Sequence, residues 1–142
     1  MIYFSYYANW RNYPEGSRKI SISRNIAGYI ADSIDERGLE LAPTQGLLDL
    51  HHSGNSWKEY ENQYWKETLS KLDVHRIAAK YENNVLLCYE TPDENCHRQI
   101  VKRWFEYNGY ECQEVLRTFE KKQEIDNEPE TSWLGTQETF KF

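Results

Sequence analysis

The stretch Val85-Leu86-Leu87-Cys88-Tyr89-Glu90-Thr91-Pro92-Asp93-Glu94-Asn95-Cys96-His97-Arg98 decides the fold of this chain. Residues 85–89 form an unbroken apolar run between a polar turn at Asn83-Asn84 and the acidic segment that follows. A strand that is apolar throughout, rather than alternating, is covered on both faces, which is the habit of a central parallel strand. Beyond the turn, Ile100, Val101, Trp104 and Phe105 recur at helical spacing. They predict a helix over 96–107, closed at Asn108-Gly109 by a left-handed cap. Residues 110–116 then read as the next strand, and strand–helix–strand over this length makes a βαβ unit.

Working upstream, Asp73 is placed to cap a helix running to Tyr81. Ser56-Trp57-Lys58-Glu59 is a capping box, in which the Ser hydroxyl and the Glu carboxylate each satisfy an early amide. The helix it opens carries Trp57, Tyr60, Tyr64, Leu69 and Leu72. Pro43-Thr44 looks like another helix start, with Leu47, Leu48 and Leu50 inside. Residues 26–42 are ambiguous between a short helix and an irregular excursion. Residues 19–23 alternate cleanly, with Ile20 and Ile22 on one face, and residues 2–7 are aromatic-rich; both read as strands. Residues 9–16, with Pro14 and Gly16, are a loop. The expected architecture is one α/β domain over 1–119, a mostly parallel sheet of about four strands flanked by helices. Residues 120–142 read as an acidic, polar tail in which Trp133-Leu134 and Phe140 could still dock. No internal repeat is visible.

Composition narrows the function classes. A chain of 142 residues is the size of one domain. No apolar run approaches the roughly 18 residues that span a bilayer, and the first residues lack a signal-peptide pattern, so a soluble cytoplasmic protein with reduced thiols is expected. The three cysteines are odd in number and contain no CxxC pair, which argues against a disulfide framework. Zinc could draw on Cys88, Cys96, His97 and Cys112, but no pair has the usual ligand spacing, so no metal and no cofactor is expected. The net charge of −6 is uneven: Arg11, Arg18, Lys19 and Arg24 face only Glu15 within the first thirty residues. An acidic protein with a local basic region suits a small anionic ligand better than a long polyanion. Its acidic surface also leaves room for a protein partner. Nucleic acid would be confined to the basic, aromatic region 10–24, where Trp10 and Tyr13 beside Arg11 could stack on a base.

Ligands of open α/β sheets bind beyond the carboxyl ends of the strands. Cys96, His97 and Arg98 fall there, in the first turn of the predicted helix, where free amides and the helix dipole favour an anion and a thiolate. At about 100° per residue, His97 lies along the apolar stripe, pointing inward towards a carbonyl or carboxylate, with Cys96 and Arg98 to either side at the rim. Two helix starts compete. Thr91-Pro92-Asp93-Glu94 is itself a capping box, whereas a turn at Pro92-Asp93 with Asn95 as the cap, the preferred reading, keeps Cys96 in the first turn. Cys88 reads as a small buried hydrophobe. The pattern is not the phosphate loop of cysteine phosphatases, because Lys102 stands where that loop needs an arginine.

Leu86-Leu87-Cys88-Tyr89-Glu90 followed by Cys96-His97-Arg98 and a helix containing Trp104 resembles the signature of the bacterial and phage "domain of unknown function 488" family. Tyr3-Phe4, Ile20-Ser21-Ile22-Ser23-Arg24, Leu41-Ala42-Pro43-Thr44 and Leu72-Asp73 follow the family order, so the resemblance covers roughly residues 1–117. The chain departs from it at Asp93-Glu94-Asn95, where the family often has a glycine and an aromatic, and after Leu116. The resemblance implies a compact α/β fold and brings no established activity. It also implies that Arg24, at the end of the second strand, partners Cys96-His97-Arg98. The expectation is a small anionic or nucleotide-like ligand held by Ser23, Arg24, Asn95 and Arg98, with Cys96 as candidate nucleophile and His97 as its base. An accessory factor acting through protein contacts, and a nucleic-acid binder, are the alternatives.

Overall fold

The computed structural model describes residues 1–26, 28–52, 54, 56–90 and 95–116, without the side chains of 51 and 52. The tail from 120 and its aromatic anchors lie outside the described residues, as do Thr91, Pro92, Asp93 and Glu94. Five strands form one sheet in the order β3-β2-β4-β1-β5. They are β1 (Ile2–Tyr6), β2 (Lys19–Ser21), β3 (Glu36–Arg37), β4 (Val85–Cys88) and β5 (Cys112–Glu114). Every pairing is parallel. The fifth strand, β3, lies in the ambiguous 26–42 stretch; its two polar residues pair with Ile20 and Ser21. The first two strands are shorter than expected, since Tyr7 already belongs to a 3-10 turn over Tyr7–Asn12.

The helices are α1 (Gly28–Ala31), α2 (Gln45–His52), α3 (Trp57–Glu67), α4 (Val74–Tyr81) and α5 (His97–Tyr107). Their starts follow the local chemistry. The Thr44 hydroxyl accepts from the Leu47 amide, Ser56 and Glu59 complete both halves of the capping box, and the Asp73 carboxylate accepts from His75 and Arg76 amides. Asn83 turns the chain from α4 into β4 with a positive φ of 67°, which asparagine tolerates better than most residues.

The sheet has one thickly and one thinly covered face. Ile2, Phe4, Ile20, Ile22 and Leu86 point into the main core, where Leu47, Tyr64, Ile77, Tyr81, Ile100 and Phe105 of α2, α3, α4 and α5 meet them. Val85 and Leu87 alternate to the other face, where Tyr7, Tyr13, Ile30 and Ile34 cover them. β4 is thus buried on both sides, as its unbroken apolar run requires. In the sheet order, the chain steps outward from β1 to β2 to β3, then returns inward to β4 and out to β5 on the other side. β2 and β4 are therefore neighbours whose onward connections run in opposite directions, and such a switch point opens a crevice at the carboxyl ends of the strands. No helix among the described residues is long and apolar enough to cross a membrane.

Candidate functional site

The crevice is a cleft of about 240 Å³. Ser23, Arg24 and Asn25 enter it from the end of β2, Tyr89 and Glu90 from the end of β4, and Asn95, Cys96 and His97 from the start of α5. Pro43, Leu48, Trp57 and Tyr60 close the helical side, with the Trp57 and Tyr60 rings stacked at 4.9 Å. Of the six residues singled out by sequence, Ser23, Arg24, Asn95, Cys96 and His97 share this cleft, and Arg98 does not.

α5 begins at His97, with Cys96 as its cap. That is one residue later than the Asn95 cap and well past the alternative start at Pro92. The Cys96 sulphur accepts from the Arg98 amide at 3.4 Å, so the sulphur takes the place a serine hydroxyl would fill at an ordinary cap. The late start keeps Cys96 at the helix N-terminus, among its first free amides.

His97 points inward as the helical wheel demands. Its Nε2 lies 2.6 Å from the Ile22 carbonyl, and Tyr64 packs edge-on against the ring. A carbonyl only accepts, so Nε2 carries the proton and Nδ1 keeps its lone pair. Burial lowers the pKa to about 4, against the support of the Ile22 hydrogen bond, so the ring is neutral at neutral pH.

Cys96 and Arg98 do not stand at the rim. Cys96 is 2% exposed and Arg98 wholly buried. The sheet extends past β1 to β5, so the flank of α5 that the wheel leaves open is roofed by Glu114. Arg98 grips that carboxylate with both arms of its fork, Nε at 3.2 Å and Nη2 at 3.0 Å. Its Nη1 donates to the Glu90 carbonyl at 2.8 Å and to the Cys88 sulphur at 2.8 Å. The guanidinium is committed to the protein, which removes Arg98 as a direct ligand-binding group and leaves Arg24 as the cleft's arginine. Arg24 is half-buried and is anchored through Nε to the Pro43 carbonyl at 2.5 Å.

Cys88 is more than a core hydrophobe. It meets Cys96 sulphur to sulphur as a disulfide across a Cα–Cα separation of 7.8 Å, a pairing that the odd cysteine count and lack of a CxxC motif argued against. The third cysteine, Cys112, is free, and burial pushes its thiol up to about 12. Sequence reasoning also passed over Tyr89, Trp57 and Tyr60 as site residues. The signal for Tyr89 was its position just after the central strand; the two helical rings announce themselves only once α3 is placed beside β2 and α5.

Residues 2–109 match the family model DUF488-N3a, described as "Active DUF488-N3 subclade". The chain belongs to the DUF488 family. The DUF488 match takes in every cleft residue and stops just short of β5, so the Glu114 that holds Arg98 lies beyond it. No curated protein and no solved structure matches the chain significantly.

Proposed function

We propose that the cleft binds a small anionic, nucleotide-like ligand and presents it to the Cys96 sulphur, within a cytoplasmic protein of bacterial or phage type. The observation that carries this reading is the joint lining of one crevice by Arg24, Ser23 and Asn95, by the aromatic rings of Trp57, Tyr60 and Tyr89, and by the capping residue Cys96. Arginine recognises phosphate or carboxylate through paired N–H donors. Rings beside it suit a base or other planar group. A volume of about 240 Å³ suits a ligand no larger than a mononucleotide. Cys96 supplies the thiol-dependent chemistry and requires a reduced protein, in keeping with a reducing compartment.

The test is a thermal-shift screen with nucleoside monophosphates and phosphosugars on wild type and Arg24→Ala. A ligand at about a hundred times its Kd should stabilise wild type by about 2.7 kcal/mol and Arg24→Ala much less. Equal stabilisation of both proteins excludes Arg24, and no stabilisation by any compound overturns the reading. Steep loss of binding with salt to a long single strand, but not to mononucleotides, would transfer the case to nucleic acid.

A further inference from the structure

We propose that Cys88, Cys96 and His97, in the dithiol state, form a three-ligand site for a borderline-soft divalent ion, zinc above all, whose fourth position faces the cleft. The site goes beyond the ligand reading and stands whichever small molecule the cleft takes.

The donor atoms of these three buried residues lie within 4.8 Å of one another, the one such group among the described residues. A tetrahedral zinc ion, about 2.3 Å from each sulphur and about 2.0 Å from nitrogen, holds its ligand atoms less than about 4 Å apart, so small side-chain adjustments suffice. Cys88 and Cys96, whose sulphurs are bonded in the oxidised state, have Cα atoms 7.8 Å apart. Two ligands on one ion reach across such a gap without difficulty.

The surroundings match those of a metal centre. A ligating histidine donates its other ring N–H to a carbonyl or carboxylate, which fixes its tautomer and aims its lone pair. His97 does this through Nε2 to Ile22, leaving Nδ1 as the ligand atom. Metal thiolates are held by N–H donors, and Arg98 supplies them here: its guanidinium for Cys88, and its amide and guanidinium for Cys96. Glu114 already balances the Arg98 charge, so the two thiolates are left for a divalent ion to neutralise. Binding expels the two thiol protons to solvent. Two sulphurs and one imidazole select zinc over hard cations such as magnesium, and three protein ligands leave a position for water or an anionic oxygen of a cleft ligand. The spacing of Cys88, Cys96 and His97 hides the site because its ligands come from a strand end and a helix cap brought together by the fold.

The experiment uses the full chain, reduced with a phosphine, stripped with chelator and titrated with Co²⁺. The expected result is one equivalent bound, with the ligand-field bands of tetrahedral cobalt and a thiolate-to-cobalt charge-transfer band, displaced by Zn²⁺. Cys88→Ser and Cys96→Ser should each abolish the charge-transfer band or halve it with at least a tenfold loss of affinity, and Cys112→Ser should leave it intact. Because a variant could unfold, alkylation of wild type is read alongside: Zn²⁺ should shield Cys88 and Cys96 from iodoacetamide and leave Cys112 reactivity unchanged under mild denaturant. A reduced wild type that shows no thiolate-to-cobalt band, a band undiminished in either Cys88→Ser or Cys96→Ser, or zinc that shields neither thiol overturns the proposal. Nucleotide stabilisation of metal-free protein would show that the ligand reading survives its failure.

Discussion

At the scale of single residues, the two neighbours His97 and Arg98 illustrate what a helical wheel can and cannot tell. His97 was legible: it sits on the apolar stripe, and inward burial with a carbonyl partner follows from that position. Arg98 was not, because its partner Glu114 is on a strand 16 residues further on, and no local rule foretells which flank of a helix the sheet will roof. The buried ion pair has a definite consequence. Arg98→Met removes the cation that faces the Glu114 carboxylate, and breaking a largely buried pair in this way costs about 3 kcal/mol. Arg98→Lys should recover only part of that, because an ammonium cannot engage both carboxylate oxygens and the Glu90 carbonyl at once. Urea unfolding of the two variants measures the difference, and equal stability of Arg98→Met and wild type would refute the pairing. His97 makes stability depend on pH in metal-free protein. Its pKa is depressed to about 4 in the fold against about 6.5 when unfolded, so the unfolded chain binds the extra proton first. The stability is complete above pH 6.5 and drains away as pH falls towards 4, by on the order of 3 kcal/mol. His97→Gln should flatten that part of the profile, as read by thermal melts from pH 7 to pH 4.

At the scale of elements, the sequence spoke most clearly where a cap or a periodic stripe was present. α3 and α4 each announce themselves by a capping residue and an apolar face, and α5 by its apolar stripe, its cap being Cys96 rather than the expected Asn95. β3 did not, because Glu36 and Arg37 are polar and two residues give no period; only the neighbouring β2 makes them a strand. What holds that edge in place is the close approach at Gly38, whose amide donates to the Ser21 carbonyl at 2.7 Å. A Cβ there would come within 2.9 Å of the Tyr81 hydroxyl and 3.2 Å of the Ile20 methyl, so the buried Tyr81 ring must shift to admit it. Gly38→Ala should therefore cost about 1–3 kcal/mol through overpacking, although the backbone φ of −87° suits any residue. By contrast, Ser56→Ala removes one half of an exposed capping box and should cost about 1 kcal/mol. Chemical denaturation of both variants tests the order, and a harmless Gly38→Ala would mean that β3 packs less tightly than its contacts imply.

At the scale of the whole molecule, the two faces of the sheet are built unequally, and β4 samples both. Leu86 and Leu87 are adjacent, equally buried and chemically identical, so local sequence cannot tell them apart. Leu86 faces the main core among side chains of β1, β2 and the helices. Leu87 faces the thin layer and lines a cleft of about 750 Å³ bounded by Tyr7, Trp10, Tyr13 and Tyr29. Truncating a core leucine costs the lost transfer free energy plus a term for the void that remains, together about 2–5 kcal/mol, and the void term depends on whether the space was closed. Leu86→Ala leaves a cavity enclosed by the main core, and belongs at the upper end of that range. Leu87→Ala enlarges a space that already opens to solvent, where water can enter and the exposed rings of Trp10 and Tyr29 can settle, and belongs near 2 kcal/mol on the same scale. Urea unfolding of the two variants, with unchanged slopes to certify a common unfolded state, decides the matter. A cost for Leu87→Ala equal to or above that for Leu86→Ala would mean that the second face is as tightly sealed as the first.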